Sequence, residues 1–158
     1  MKHLVHQFAA YDLWANTRVV ERLQREPEAV LDRYVKSSFP SLRKTIMHIR
    51  DADHVWYTRI FGEPDLAMDP GIGSLLHISA ALHDKVLPLD GPQLNRQVDY
   101  VNTKGQRFVQ PCWQLLTHCF NHASYHRGQL ITLLHQLDLG EVPNTDLVAY
   151  QRLLLPGK

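Results

Sequence analysis

A chain of 158 residues, 44% of them hydrophobic, can bury one sizeable core and lies far from the composition of disordered proteins. Its formal net charge of +1 excludes the basic footprint of a nucleic-acid or anionic-membrane binder, and no apolar run reaches the roughly 20 residues that span a bilayer. Met1 to His6 leads into an amphipathic segment without a signal-peptide pattern, so the expected setting is cytoplasmic and reducing.

In chain order, His3 to Glu26 reads as a first helix. Val5, Phe8, Ala9, Leu13, Ala15, Val19, Val20 and Leu23 recur at helical spacing, and Pro27 ends the run. Asn16 is a poor helix former at mid-helix, which implies a bonding partner. Trp14 reads as core, while His3 and His6 fall near a fraying end and read as solvated. A linker from Glu28 to Pro40 closes on Ser37-Ser38-Phe39-Pro40, and Ser41 fits an N-cap. The second helix then spans Leu42 to Phe61, with Gly62 and Pro64 as stop signals and an apolar stripe that includes Thr45, Ile46, Ile49, Val55 and Trp56. Asp53 and His54 point away from that stripe.

Glu63 to Gly73 is a loop, and Ser74 reads as the N-cap of a shorter helix over Leu75 to Leu87. Val98 to Asn102 and Gln106 to Val109 flank Thr103-Lys104-Gly105, which reads as a hairpin turning at glycine. Pro111 suits the first position of the longest helix, which runs to about Leu137 before Gly140 and Pro143. A last short helix opens at Asn144-Thr145-Asp146 and continues through Leu155. Cys112 and Cys119, seven apart on that long helix, stand about 10 Å apart along its axis, too far for a disulfide. These elements sum to one all-α domain over residues 1–158, a four-helix bundle with a minor β-hairpin.

The longest helix carries His118, His122 and His126 at spacings of four. Residues four apart drift only about 40° around a helix, so the three imidazoles share a face. Buried imidazoles need partners, and clustered ones cannot all charge; one divalent ion answers both constraints. A solvent-exposed histidine row is the plain alternative. Two helical histidines do not fill a coordination sphere. His48, close to the apolar stripe of the second helix, is the leading third donor, although a lone histidine on such a face is commonly a hydrogen-bonded core residue. Three protein nitrogens with an open position form the catalytic pattern rather than the closed structural one.

These residues also carry a family likeness. His122-x-x-x-His126-Arg127-Gly128-Gln129 resembles the signature of the DinB/YfiT-like family of bacterial metalloenzymes, and His48 stands where that family has its first histidine. Tyr11-x-x-Trp14-Ala15-Asn16-x-x-Val19 resembles its first-helix motif, and Asp146 to Tyr150 its tail. The resemblance implies that family's four-helix bundle, a homodimer, and a divalent metal (zinc, nickel or iron) held by His48, His122 and His126. His118 then becomes a rim or outer group.

Around that set, Asp51 or Gln129 is placed to accept the free N–H of a ligating imidazole. Tyr125, Trp56 and Tyr57 are candidates for a pocket mouth, and each also fits a core position. Gly128 leaves room for a neighbouring helix, and Arg127 is placed for a carboxylate at a bundle or dimer contact. The resemblance implies a small-molecule substrate and a low-molecular-weight thiol, hence thiol-dependent S-transfer to small electrophiles. Metal-dependent hydrolysis and a non-catalytic metal-binding or stress-response bundle are the alternatives. The catalytic residues themselves are left open.

Overall fold

The computed structural model describes residues 1–63 and 69–156. The elements run α1 (Lys2–Leu23), α2 (Glu28–Leu31), α3 (Leu42–Phe61), α4 (Ser74–Val86), α5 (Gly91–Asn95), β1 (Gln97–Val101), β2 (Arg107–Pro111), α6 (Cys112–Gln136) and α7 (Leu147–Leu153). The four long helices pack as α1 on α4 and α6, and α3 on α4 and α6. This is the expected all-α bundle with one two-stranded antiparallel sheet. Among the described residues no helix is long and apolar enough to cross a membrane.

Local chemistry explains most boundaries. Ser41 caps α3 by accepting the Lys44 amide at 3.1 Å. Gly62 ends it in the left-handed region at φ 74°, its N–H bonded to the Thr58 carbonyl. Pro64, the second expected stop, lies outside the described residues. In the hairpin Tyr100 faces Phe108 and Val101 faces Arg107, and Gly105 supplies the positive φ of the turn. Pro111 is the N-cap of α6, one position before the expected one.

Several expectations needed correction. α1 stops at Leu23, and the linker after Pro27 forms the single turn α2, opened by that proline. Gly73, not Ser74, is the N-cap of α4; Ser74 is its first residue and donates to the Gly71 carbonyl at 2.6 Å. α7 begins at Leu147, after Asp146. His6 is held rather than solvated, its Nε2 lying 3.0 Å from the Leu89 carbonyl oxygen. On α3, Val55 is 42% exposed, whereas Asp53 is fully buried. Gly128 serves no close approach among the described residues, since a Cβ there would meet nothing within 4 Å.

The core forms two clusters. One joins the C-terminal halves of α1 and α6 to α3 and α4 through Leu23, Ile46, Ile49, Leu75, Leu130 and Leu134. The other joins Val5, Val98, Leu115, Leu116 and Phe120 under the hairpin, and Trp56 and Phe61 pack against both. Cys112 and Cys119 are buried free thiols.

Between the clusters runs a buried polar network. Arg127, 1% exposed, donates through Nη1 to Asp12 Oδ1 at 2.5 Å and to Asn16 Oδ1 at 2.7 Å. Its Nη2 donates to Ser124 Oγ at 2.8 Å. Asn16 donates in turn to Asp12 and to Ser79 of α4, which supplies the partner its helical position called for. Asp53 lies near this network without joining it: its Oδ1 accepts from the Cys119 thiol at 3.2 Å and its Oδ2 has no partner among the described residues. Burial pushes its carboxyl well above the usual range, and the Asp12 charge adds to the rise.

The two buried acids should therefore differ in how much neutralisation costs, because only Asp12 is paired with the guanidinium. Asp12→Asn removes the counter-charge of a buried guanidinium and should cost about 3 kcal/mol, the low end for breaking such a pair. Asp53→Asn replaces a carboxyl whose charged form burial already disfavours and should stay within about 1 kcal/mol of wild type. Urea unfolding of the two variants checks this; equal losses would show that Asp53 is ionised in the fold.

Candidate metal centre

α3 and α6 lie side by side, and their facing surfaces carry the histidines. His48 Nε2 is 3.2 Å from His122 Nε2, which is 3.1 Å from His126 Nε2. One donor atom from each of the three lies within 4.8 Å of the others, a grouping able to hold a metal ion. Four bonds of about 2.0–2.1 Å at the tetrahedral angle would set nitrogens roughly 3.3–3.4 Å apart, so the observed spacings are close to a zinc-like shell.

The proton inventory points the same way. Gln129 Oε1 can only accept, and it lies 2.8 Å from His126 Nδ1, so that nitrogen carries the proton and Nε2 a lone pair. His122 Nε2 touches two neighbouring imidazole nitrogens, but one proton can serve only one of them. His122 Nδ1 is buried with no partner among the described residues. Three neutral imidazoles cannot satisfy this arrangement with hydrogen bonds alone. A shared cation can.

Their surroundings keep His122 and His48 neutral. Burial, then the neighbouring charges of His126, His48 and His118, lowers the pKa of His122 to about 4. Burial and His126 also lower that of His48. Phe39, in the segment just before the Ser41 cap, stacks on the His48 ring at 4.0 Å and 21° and meets His126 edge-on at 5.4 Å. Neutral imidazole is the form that ligates.

The structure thus brings together His48, His122 and His126, with Gln129 behind His126. It does not bring Asp51 to a ring nitrogen. That carboxylate is exposed and takes Arg50 through Nε at 2.8 Å and Nη2 at 2.5 Å. His118 stands outside the group, its ring 6.1 Å from that of His122 and 4.9 Å from Trp56. Tyr125 is 63% exposed and lies edge-on to His126 at 4.9 Å. Arg127 has its carboxylate within the bundle, at Asp12. Sequence reasoning missed Phe39; the available signal was one aromatic residue in a polar stretch directly before a helix cap.

The sequence model of the DinB family matches residues 1–154. The chain is also similar to Protein DinB of Bacillus subtilis (strain 168), at 24% identity over 165 residues, covering 95% of each protein.

The lowered histidine pKa values have a consequence for the metal-free fold. Below the ordinary value of 6.5 the unfolded chain takes up protons that the folded His122 refuses until about 4. This stabilising contribution is therefore complete above about 6.5 and is lost as pH falls toward 4. The urea midpoint of chelator-treated protein should drop across that interval, and His122→Asn should make the drop shallower. Parallel pH profiles for the two proteins would contradict the assignment.

Proposed function

The chain belongs to the DinB family, and we propose that it is a divalent-metal enzyme that transfers a low-molecular-weight thiol to small electrophiles. The observation that carries the metal part is the convergence of three imidazoles, with His122 Nε2 3.2 Å from His48 Nε2 and 3.1 Å from His126 Nε2. His48, His122 and His126 would hold zinc, nickel or iron and leave a position open, since the group contains no carboxylate among the described residues. When bound, such an ion supplies Lewis acidity that favours the thiolate form of a thiol, or the hydroxide form of water, at neutral pH.

The chain's own residues set the conditions for that chemistry. Gln129 Oε1 fixes the His126 tautomer so that Nε2 faces the group. Phe39 covers one side of His48 and keeps water from that face. His118 does not ligate, and burial lowers its pKa, so at neutral pH it is an uncharged base one helical turn from His122. It is positioned to take the proton released as a thiol becomes a thiolate. Metal-dependent hydrolysis uses the same parts with water in place of the thiol, and the two reactions separate by whether turnover requires added thiol. A non-catalytic metal-binding bundle would show neither reaction while retaining its metal.

Elemental analysis of untagged protein should find about one metal per chain, lost in His48→Ala and His122→Ala with helical content retained. Gln129→Leu should keep the site but weaken metal affinity by about 10–100-fold, as losses of such supporting bonds do. Metal retained at full stoichiometry in His48→Ala would sink the three-histidine site. Metal-loaded protein should conjugate a low-molecular-weight thiol to a chromogenic aryl halide, and His122→Ala should not. Ester hydrolysis without thiol would instead favour the hydrolase reading.

A further inference from the structure

The hairpin contributes nothing to the histidine group, yet it walls a second feature of the α3–α6 face. Beside His118 lies a half-open cleft of about 200 Å³ lined by Trp56, Tyr100, Gln110, Gln114, Leu115 and His118. Four elements build it: α3 gives Trp56, the two strands give Tyr100 and Gln110, and α6 gives the rest. In another protein an engineered cavity of roughly 150 Å³ holds benzene. This cleft therefore has room for one ring and a substituent.

Its lining is selective. Trp56 and Tyr100 meet at 5.5 Å and 71°, forming an aromatic corner. The polar groups run in one direction: the Tyr100 hydroxyl donates to Gln110 Oε1 at 2.6 Å, and Gln110 Nε2 donates to Gln114 Oε1 at 3.2 Å. That relay occupies the two carboxamide acceptors and ends on the Gln114 carboxamide N–H, a donor. Among the described residues no carboxylate lines the cleft. A cation overlies both rings, with Arg59 Cζ 4.8 Å from the Trp56 centroid and 5.4 Å from that of Tyr100. An aromatic corner, a donor edge and a nearby positive charge together favour a flat ligand that carries an anionic acceptor.

We infer that this cleft binds a small aromatic carboxylate of about the size of benzoate. The ring packs against Trp56 and Tyr100, and the carboxylate meets the Gln114 N–H within the field of Arg59. The inference does not depend on the metal reading, because none of the lining residues belongs to the His48–His122–His126 group. His118 is the shared wall, 6.1 Å ring to ring from His122, so a molecule held in the cleft lies next to the proposed metal position.

The test is a benzoate titration of the full chain, kept metal-free by chelation, followed by the nuclear magnetic resonance signals of the three tryptophan indole N–H groups. Trp56→Phe assigns the relevant signal, and Trp14, distant on α1, is the internal reference. The Trp56 signal should move saturably at millimolar benzoate while that of Trp14 stays. Benzyl alcohol, with the same ring and no charge, should bind about tenfold more weakly, the effect of one charged contact. Arg59→Gln should weaken benzoate several-fold and leave benzyl alcohol unchanged, and Gln114→Leu should weaken benzoate several-fold and benzyl alcohol less, with dispersed spectra certifying their folds. A stationary Trp56 signal overturns the inference. So does equal binding of the two ligands that neither variant alters, which would mark an unselective apolar crevice. Because the titration uses metal-free protein, failure of the metal site would leave its result untouched.

Discussion

The buried guanidinium of Arg127 is the constraint on which the rest of the arrangement depends. A charge that is 1% exposed cannot be left without partners, and Asp12 and Asn16 of α1 and Ser124 of α6 meet it from a narrow range of directions. α6 is thereby fixed in rotation against α1. Successive side chains on a helix diverge by about 100°, so pinning Arg127 toward α1 turns its neighbour His126 toward α3. One ion pair, far from solvent, thus sets the direction in which the histidine face points. Apolar contacts alone would do this less sharply, because leucine and isoleucine tolerate small rotations that a short hydrogen bond does not.

The same packing decides the state of the imidazoles. Neighbouring imidazoles and partial burial disfavour the charged form of His122 and His48, and Phe39 closes over His48. Three neutral rings facing one another are poorly served by hydrogen bonds, because their supply of N–H donors does not match the lone pairs that meet. The protein maintains this locally unfavourable cluster with stability drawn from its two apolar clusters and the Arg127 network. Such concentrated electrostatic frustration is expected at a binding site and hard to explain as packing.

Much of this could be read from residue order. The four long helices followed from period and punctuation: Ser41 and Gly62 bracket α3, and Gly105 turns the hairpin. The histidine face followed from spacing, and the poor helix former Asn16 announced a buried partner. What escaped reading has a common cause. Asp53 and Val55 exchange their expected environments because α3 is contacted from two sides, by α4 and α6, and a single apolar stripe describes a helix with one buried side. Asp51 was an outer-group candidate by angle alone, but Arg50, its neighbour in sequence, claims it. Phe39 acts from a segment without regular structure, where periodicity carries no signal. Tertiary context, rather than propensity, settles each of these cases.

The spacing of the α6 histidines left one choice open, since His118–His122 and His122–His126 are equivalent pairs on a bare helix. About 12 Å of helix separates His118 from His126, too much for one ion to join both. The antiparallel register of α3 against α6 makes the choice. Passing along α3, His48 meets His122 and His126, Asp53 meets Cys119, and Trp56 meets His118, so rising numbers on one helix face falling numbers on the other. A histidine at position 48 can therefore complete only the His122–His126 pair, whereas His118 is delivered to the tryptophan two turns further along α3. The two helices carry two stations on one face, a polar one able to hold a cation and an aromatic one walled by the hairpin. His122 and His118, consecutive in the row, are the link between them.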